Sequence, residues 1–178
     1  PIGHVEAGLR TYNMQSPYPE EFNRQAVDLI TDIYFAPTDL AKKQLQKEGK
    51  DECKIFVTGN TVIDALETTV SNEYRNEILD WCKDSKMILL TAHRRENIGA
   101  PMEHIFEAVK TITLNHKDVK VVYPIHKNPK VRNIATQIFD GCDRIKLIEP
   151  LDVYDFHNFM NQSYLILTDS GGIQEEAP

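Results

Sequence analysis

The densest ionisable run in the chain is Ala92-His93-Arg94-Arg95-Glu96-Asn97, just after the β-rich stretch Met87–Thr91. A histidine beside two arginines at a strand end can serve as acid or base and bind an anionic ligand group. The same run also suits an ordinary solvated turn. A second histidine, His126, follows Val119–Pro124 within Ile125-His126-Lys127-Asn128-Pro129. It could face the same cleft as His93, or simply cap a helix at the surface. A third cluster, Asp169-Ser170-Gly171-Gly172-Ile173-Gln174-Glu175-Glu176, follows Tyr164–Thr168. Ser-Gly-Gly opening into a helix offers backbone N–H groups with no Cβ to keep a phosphate away. Glu175 and Glu176 follow one turn on, near the reach of ribose hydroxyls, although Gly-Gly also fits a plain tight turn.

The front of the chain holds the remaining candidates. In Gly3-His4-Val5-Glu6-Ala7-Gly8-Leu9-Arg10-Thr11, Glu6 lies between Val5 and a turn at Gly8, where burial would raise its pKa toward catalytic use. In Pro19-Glu20-Glu21, proline followed by carboxylates suits acid–base chemistry, and equally the N-terminus of any helix.

These clusters sit at the ends of predicted strands. Continuous β-rich runs place strands at Ile33–Ala36, Lys54–Thr58, Met87–Thr91, Val119–Pro124, Arg144–Ile148 and Tyr164–Thr168. Continuity, rather than alternation, suits parallel strands covered on both faces. Helical spacing joins Met102, Ile105, Phe106, Val109 and Ile112 behind Pro101, and Val131, Ile134, Ala135 and Ile138 before Gly141. Leu40, Ala41 and Leu45 follow Thr38, a good N-cap, and Gly49 closes that helix. Strands alternating with helices imply an open α/β sheet, whose ligands lie beyond the carboxyl ends of its strands.

Composition narrows the classes. The 178 residues carry 20 Lys and Arg against 27 Asp and Glu, a net charge of −7, which argues against generic nucleic-acid binding. No apolar run is long enough to span a bilayer. Cys53, Cys82 and Cys142 lack any CxxC spacing and read as reduced, partly buried residues of a cytoplasmic protein, neither a disulfide framework nor a thiolate metal site. Neither a GxxxxGK[ST] nor a GxGxxG fingerprint occurs, against an ATPase or a nicotinamide-dependent dehydrogenase. The polar stretch 71–86 suggests a domain boundary near residues 60–70. Ahead of it only two strands are predicted, too few for a doubly wound sheet, so the front is expected to be the tail of a domain.

Five motifs together closely resemble the non-hydrolysing bacterial UDP-N-acetylglucosamine 2-epimerases. They are residues 3–11 (GHVEAGLRT), Pro19-Glu20-Glu21-x-Asn23-Arg24, Gly59-Asn60-Thr61-Val62-Ile63-Asp64, His93-Arg94-Arg95-Glu96-Asn97 and residues 168–178 (TDSGGIQEEAP). The resemblance implies a GT-B-like α/β architecture: two Rossmann-like domains facing a cleft, residues 1–60 ending the first and residues 61–178 forming most of the second. It implies reversible conversion of UDP-GlcNAc to UDP-ManNAc by elimination and re-addition of UDP, with no metal or other cofactor, supplying ManNAc for bacterial surface polysaccharide. Glu6, Glu20 and His93 would act on the sugar. Ser170, Gly171 and Gly172 would hold the diphosphate, Glu176 the ribose and Phe156 the uracil. Glu20, Arg94 and His126 resemble positions contacting a second, activating UDP-GlcNAc, while Arg10 receives no role. A cytoplasmic homodimer, with no nucleic-acid or membrane partner, is expected. The family also has a catalytic Asp, basic residues and an Arg-containing loop outside these 178 residues, so this piece alone is expected to have little or no epimerase activity. Competing expectations are a hydrolysing epimerase, another GT-B UDP-sugar enzyme, and a non-catalytic UDP-sugar sensor.

Overall fold

Runs of Ile, Val, Leu and Tyr form two parallel sheets in the computed structural model, which describes residues 1–177. Pro178 and the Arg95 side chain, both within motifs read above, lie outside the described residues. The chain divides into two compact units, Pro1–Asp64 and Ala65–Pro178.

In the first unit, β1 (Gly3–Val5), β2 (Ile33–Ala36) and β3 (Ile55–Val57) lie side by side in that order, all parallel. The expectation of two strands here is therefore corrected to three. β1 escaped notice because Gly3-His4-Val5 contains a single strong β-former. The helix α1 (Glu20–Val27) follows β1 in the chain, and α2 (Asp39–Lys47) follows β2. Thr38 caps α2 by accepting from the Ala41 N–H, as its position predicts. Ala41 and Leu45 of this helix pack with Ala7, Tyr34, Ala36 and Ile55 as the core of the unit. Phe56 and Val57 are exposed, so two-sided cover of the strands does not hold in this unit.

The second unit carries β4 (Lys86–Thr91), β5 (Val119–Pro124), β6 (Ile145–Ile148) and β7 (Leu165–Thr168), all parallel, in the order β6-β5-β4-β7. Successive strand residues point to opposite faces. Ile88 and Leu90 meet Met102, Phe106 and Val109 of α5 (Ala100–Asn115) and Val131, Ala135 and Phe139 of α6 (Pro129–Phe139). Met87 and Leu89 meet Leu79 and Cys82 of α4 (Glu77–Cys82) and Phe159 and Met160 of α7 (Val153–Asn161). Fully burying a side chain such as Phe106 contributes roughly 1.5–3 kcal/mol. The polar stretch 71–86 thus holds a short helix rather than a bare connection. Two ammonium groups approach the Trp81 ring, with Lys120 Nζ 4.6 Å and Lys146 Nζ 4.4 Å from its centroid.

Two connecting helices complete the chain. The Asn60 side chain accepts from the Val62 N–H at the start of α3 (Thr61–Thr69), the helix in which the two units divide. The last helix, α8 (Gly171–Glu176), follows β7 directly. From β4 the chain builds outward through β5 to β6, then returns to place β7 on the other side of β4. That reversal makes the loops after β4 and β7 the switch point of the sheet, where open α/β sheets hold ligands.

Candidate active site

β4 and β7 pair in register as far as Thr91 and Thr168, so the loops that follow begin side by side. The Thr91 hydroxyl donates to the Thr168 hydroxyl (2.7 Å), which also accepts from the Ser170 N–H (2.9 Å). Asp169 then draws the two loops together. Its carboxylate accepts from the backbone N–H of His93 (3.1 Å), the backbone N–H of Arg94 (2.9 Å) and the side-chain amide of Asn97 (3.0 Å). Its carbonyl oxygen accepts from Arg94 Nε (3.0 Å). Burial pushes the Tyr123 phenol pKa up, so its hydroxyl stays protonated and donates to the Ala92 carbonyl at the root of the loop.

This frame displays the ionisable groups. His93 keeps 42% of its side chain exposed, with Nδ1 3.7 Å from Asp169 Oδ1. Its ring stacks on that of His126, centroids 5.8 Å apart and planes 12° from parallel, so the two histidines do face one another. His126 Nδ1 accepts from the Asn128 N–H (3.1 Å). Arg94 reaches the third cluster: a Cβ added at Gly171 would lie 3.2 Å from Arg94 Nη2. The Ser170 side chain makes no capping bond to α8. Backbone N–H groups in a first helical turn lack intrahelical partners, so Gly171 and Gly172 combine amide donors with an arginine beside them.

Phe156 lies on α7 of the same unit, and Glu176 ends α8, the helix that Gly171 and Gly172 open. Phe156 is half-buried against the core face made by Leu89 and Phe159. Glu176 Oε2 is 3.7 Å from Nε2 of buried His157, whose Nδ1 is 2.7 Å from the Thr69 hydroxyl.

The first unit treats its carboxylates differently. Glu6 is not buried as its neighbours suggested: its side chain is 40% exposed and pairs with Arg24 (Nη2 to Oε2, 3.2 Å). It sits at φ +65°, a left-handed conformation that a side chain adopts at a cost in strain. Arg24 also holds Glu20 at 3.1 Å, so one guanidinium ties both candidate carboxylates. Glu21, next in sequence, is almost fully buried and accepts from Thr11 N, Tyr12 N and Gln25 Nε2. Burial alone would raise its pKa, yet these bonds hold the carboxyl below the usual range.

The Arg10 side chain is wholly buried, bonded to Asp28 and, at 2.7 Å, to Glu48, a pairing that holds the loop to its neighbours. Asp28 also binds His4 Nδ1 (2.5 Å), and these partners overcome burial to lower its pKa. Gly8, at φ +87°, is required by space as well as conformation, because a Cβ there would meet the Ala41 carbonyl at 2.3 Å. Ala7, Gly8 and the Arg10 side chain of the first motif therefore serve packing, and Glu6 is its accessible carboxylate. Among the described residues no group of three or more His, Cys, Asp or Glu could hold a metal ion. The cysteines are free, and Cys53 is exposed rather than partly buried.

A family model described as UDP-N-acetylglucosamine 2-epimerase matches residues 1–178. The chain belongs to the UDP-N-acetylglucosamine 2-epimerase family. It is 59% identical over 177 residues to the UDP-N-acetylglucosamine 2-epimerase of Bacillus subtilis (strain 168), covering 99% of this chain and 47% of that protein. The S. aureus MnaA–UDP co-structure is similar at 60% identity and a TM-score of 0.97, over 100% of this chain and 49% of that one. The UDP-GlcNAc 2-epimerase of Neisseria meningitidis bound to UDP-GlcNAc is similar at 41% identity and a TM-score of 0.89, over 100% of this chain and 50% of that one. The chain spans about half the length of the curated relatives it matches. Its α/β fold on parallel sheets is that of the GT-B-like epimerases. Within that family fold, Asp169, Glu21 and Asp28 hold the motif loops in place, roles that the sequence pattern does not disclose: Asp169 and Glu21 lie inside motifs already singled out, and Asp28 follows one by four residues.

Proposed function

We propose that this chain is part of an enzyme that reversibly epimerises UDP-GlcNAc to UDP-ManNAc at C2. Residues 1–60 would end its first Rossmann-like domain, and residues 61–178 would form most of a second that binds UDP. The observation that carries this reading is the joining of His93, Arg94 and the Ser170-Gly171-Gly172 loop at the switch point of one sheet. An acid–base group and anion donors are thereby set on adjoining loops, within a chain matched along its whole length to the epimerase family.

The chemistry follows from that arrangement. A base takes the C2 proton, the C1–oxygen bond breaks and UDP leaves, giving the 2-acetamidoglucal. A proton returns to C2 from the opposite face, and UDP adds back at C1. We assign Glu6, Glu20 and His93 to proton transfer and stabilisation of the intermediate. The leaving diphosphate gains negative charge, and donors placed in advance are an effective means of stabilising it. The Gly171 and Gly172 amides fit that role, with Ser170 beside them, Glu176 on the ribose and Phe156 on the uracil. Glu20, Arg94 and His126 fit a second, activating UDP-GlcNAc. Binding of UDP and UDP-GlcNAc by the S. aureus and N. meningitidis proteins supports the ligand class. The enzyme would work as a cytoplasmic homodimer, and the ManNAc formed would enter bacterial surface polysaccharide. No helix among the described residues is long and apolar enough to cross a membrane.

The test is incubation of the full-length protein with UDP-GlcNAc in D2O, followed by NMR. Deuterium at C2 together with UDP-ManNAc is expected. Free ManNAc and UDP would overturn the assignment in favour of hydrolysis, and binding without turnover would do so in favour of a sensor.

A further inference from the structure

A Gly-rich phosphate loop needs amide donors, and a carboxylate immediately before it would repel an incoming diphosphate if its charge were uncompensated. Asp169 stands in that place, yet its side chain is turned away to the neighbouring loop, where His93 N, Arg94 N and Asn97 Nδ2 bond it. Its carbonyl oxygen meanwhile holds Arg94 Nε, which aims the rest of the guanidinium toward Gly171. Both the carboxylate and the backbone carbonyl of this one residue therefore bond the His93–Asn97 loop.

We propose that Asp169 is a positioning residue that locks the His93–Asn97 loop to the Ser170–Gly172 loop, fixing the His93 imidazole relative to the diphosphate-binding amides. The proposal rests on the epimerase reading above. Bonds to a charged acceptor are about twice as strong as neutral ones, and three of them converge on this carboxylate. The Ser170–Gly172 loop would hold substrate through its diphosphate whether or not the lock is closed. Placement of the imidazole against the sugar depends on the lock, and a misplacement of about 1 Å can cost roughly 100-fold in rate. Losing the lock should consequently appear in kcat while KM is largely kept.

Asp169→Asn keeps the size of the side chain but sets an amide NH2 against N–H donors. In the full-length protein it is expected to lower kcat for UDP-GlcNAc about 30–100-fold with KM changed less than about threefold. Amide hydrogen exchange should accelerate across residues 93–97 while β4 and β7 stay protected. Asn97→Ala removes one donor to the Asp169 carboxylate and is expected to lower kcat about threefold. The double variant should be no slower than Asp169→Asn alone, because both act through one lock. A kcat for Asp169→Asn within about threefold of wild type, a loss confined to KM, or strictly additive effects would overturn the proposal. Should Asp169→Asn not fold, Asn97→Ala decides: lowered kcat at unchanged KM supports the lock, and unchanged kcat refutes it. Absence of turnover in the wild type would instead refute the epimerase reading, and the exchange contrast would still test the lock.

Discussion

The loop after β1 and the loop after β4 are pinned by the same device: a carboxylate from elsewhere in the chain accepts two consecutive backbone N–H groups. Glu21 takes those of Thr11 and Tyr12; Asp169 takes those of His93 and Arg94. What each loop then does with its charged side chains differs. The first turns Arg10 inward onto Asp28 and Glu48, where nothing of the guanidinium reaches solvent. The second turns His93 outward and sets Arg94 beside a glycine. The first sheet also grows in one direction, β1-β2-β3, whereas the second reverses at β4. A carboxylate clamp is thus neutral between stability and function, and the side chains it fixes decide which is served.

That contrast can be broken by exchanging one kind of loss for the other. The largest effect is expected for His93→Ala in the full-length protein: a fall in turnover of about 10²–10⁴-fold with a thermal midpoint close to wild type. A His93→Ala variant that turned over normally would remove the functional side of the comparison. Arg10→Met should do the reverse. It leaves Asp28 and Glu48 without their buried partner, at a cost of about 3–5 kcal/mol in urea denaturation. Near-normal stability in that variant would make the first loop as tolerant as a surface turn.

A smaller loss is expected in acid. Glu21 and Asp28 both titrate below their usual values in the folded chain, so the unfolded chain takes up protons at the higher pH. Their contribution is complete above about pH 4, near the unfolded values, and drains away as pH falls toward the folded ones. Glu21→Gln should flatten that acid limb and lose about 1–3 kcal/mol at neutral pH, read from urea titrations across the range. The smallest effect is expected for Gly171→Ala. The added Cβ moves only the tip of Arg94, so UDP affinity by calorimetry should drop by about 1 kcal/mol or less. A loss many times larger would mean that the added Cβ obstructs the diphosphate at the Gly171 and Gly172 amides as well as shifting the arginine.

The strands and amphipathic helices were legible wherever apolar residues dominate a run. β2 and β5 fall where Ile33–Ala36 and Val119–Pro124 predict, and α5 forms on the stripe from Met102 to Ile112. Elements whose core contribution rests on a few positions were not. α4 is only six residues long and fully buries just Leu79 and Cys82, and α7 buries His157 and Asn158 beside Phe159 and Met160, which blurs its stripe. Among the candidate residues, His93, Arg94, His126 and the Ser-Gly-Gly loop could be singled out because each follows a readable strand. Asp169 could not be given its role, because its partners lie more than 70 residues back in the chain. The exposure of Glu6 was misread for a similar reason: Arg24, which tethers it, comes from the next helix.

Trp81 is the chain's single tryptophan, and it lies in the second unit with an ammonium group near its ring on Lys120 and another on Lys146. Intrinsic indole fluorescence therefore reports on one half of the fold only, while far-UV circular dichroism sums the helices of both. Melting curves from the two signals will coincide if the halves unfold together and separate if one lets go first. The protein carries its own optical label for the half that holds His93.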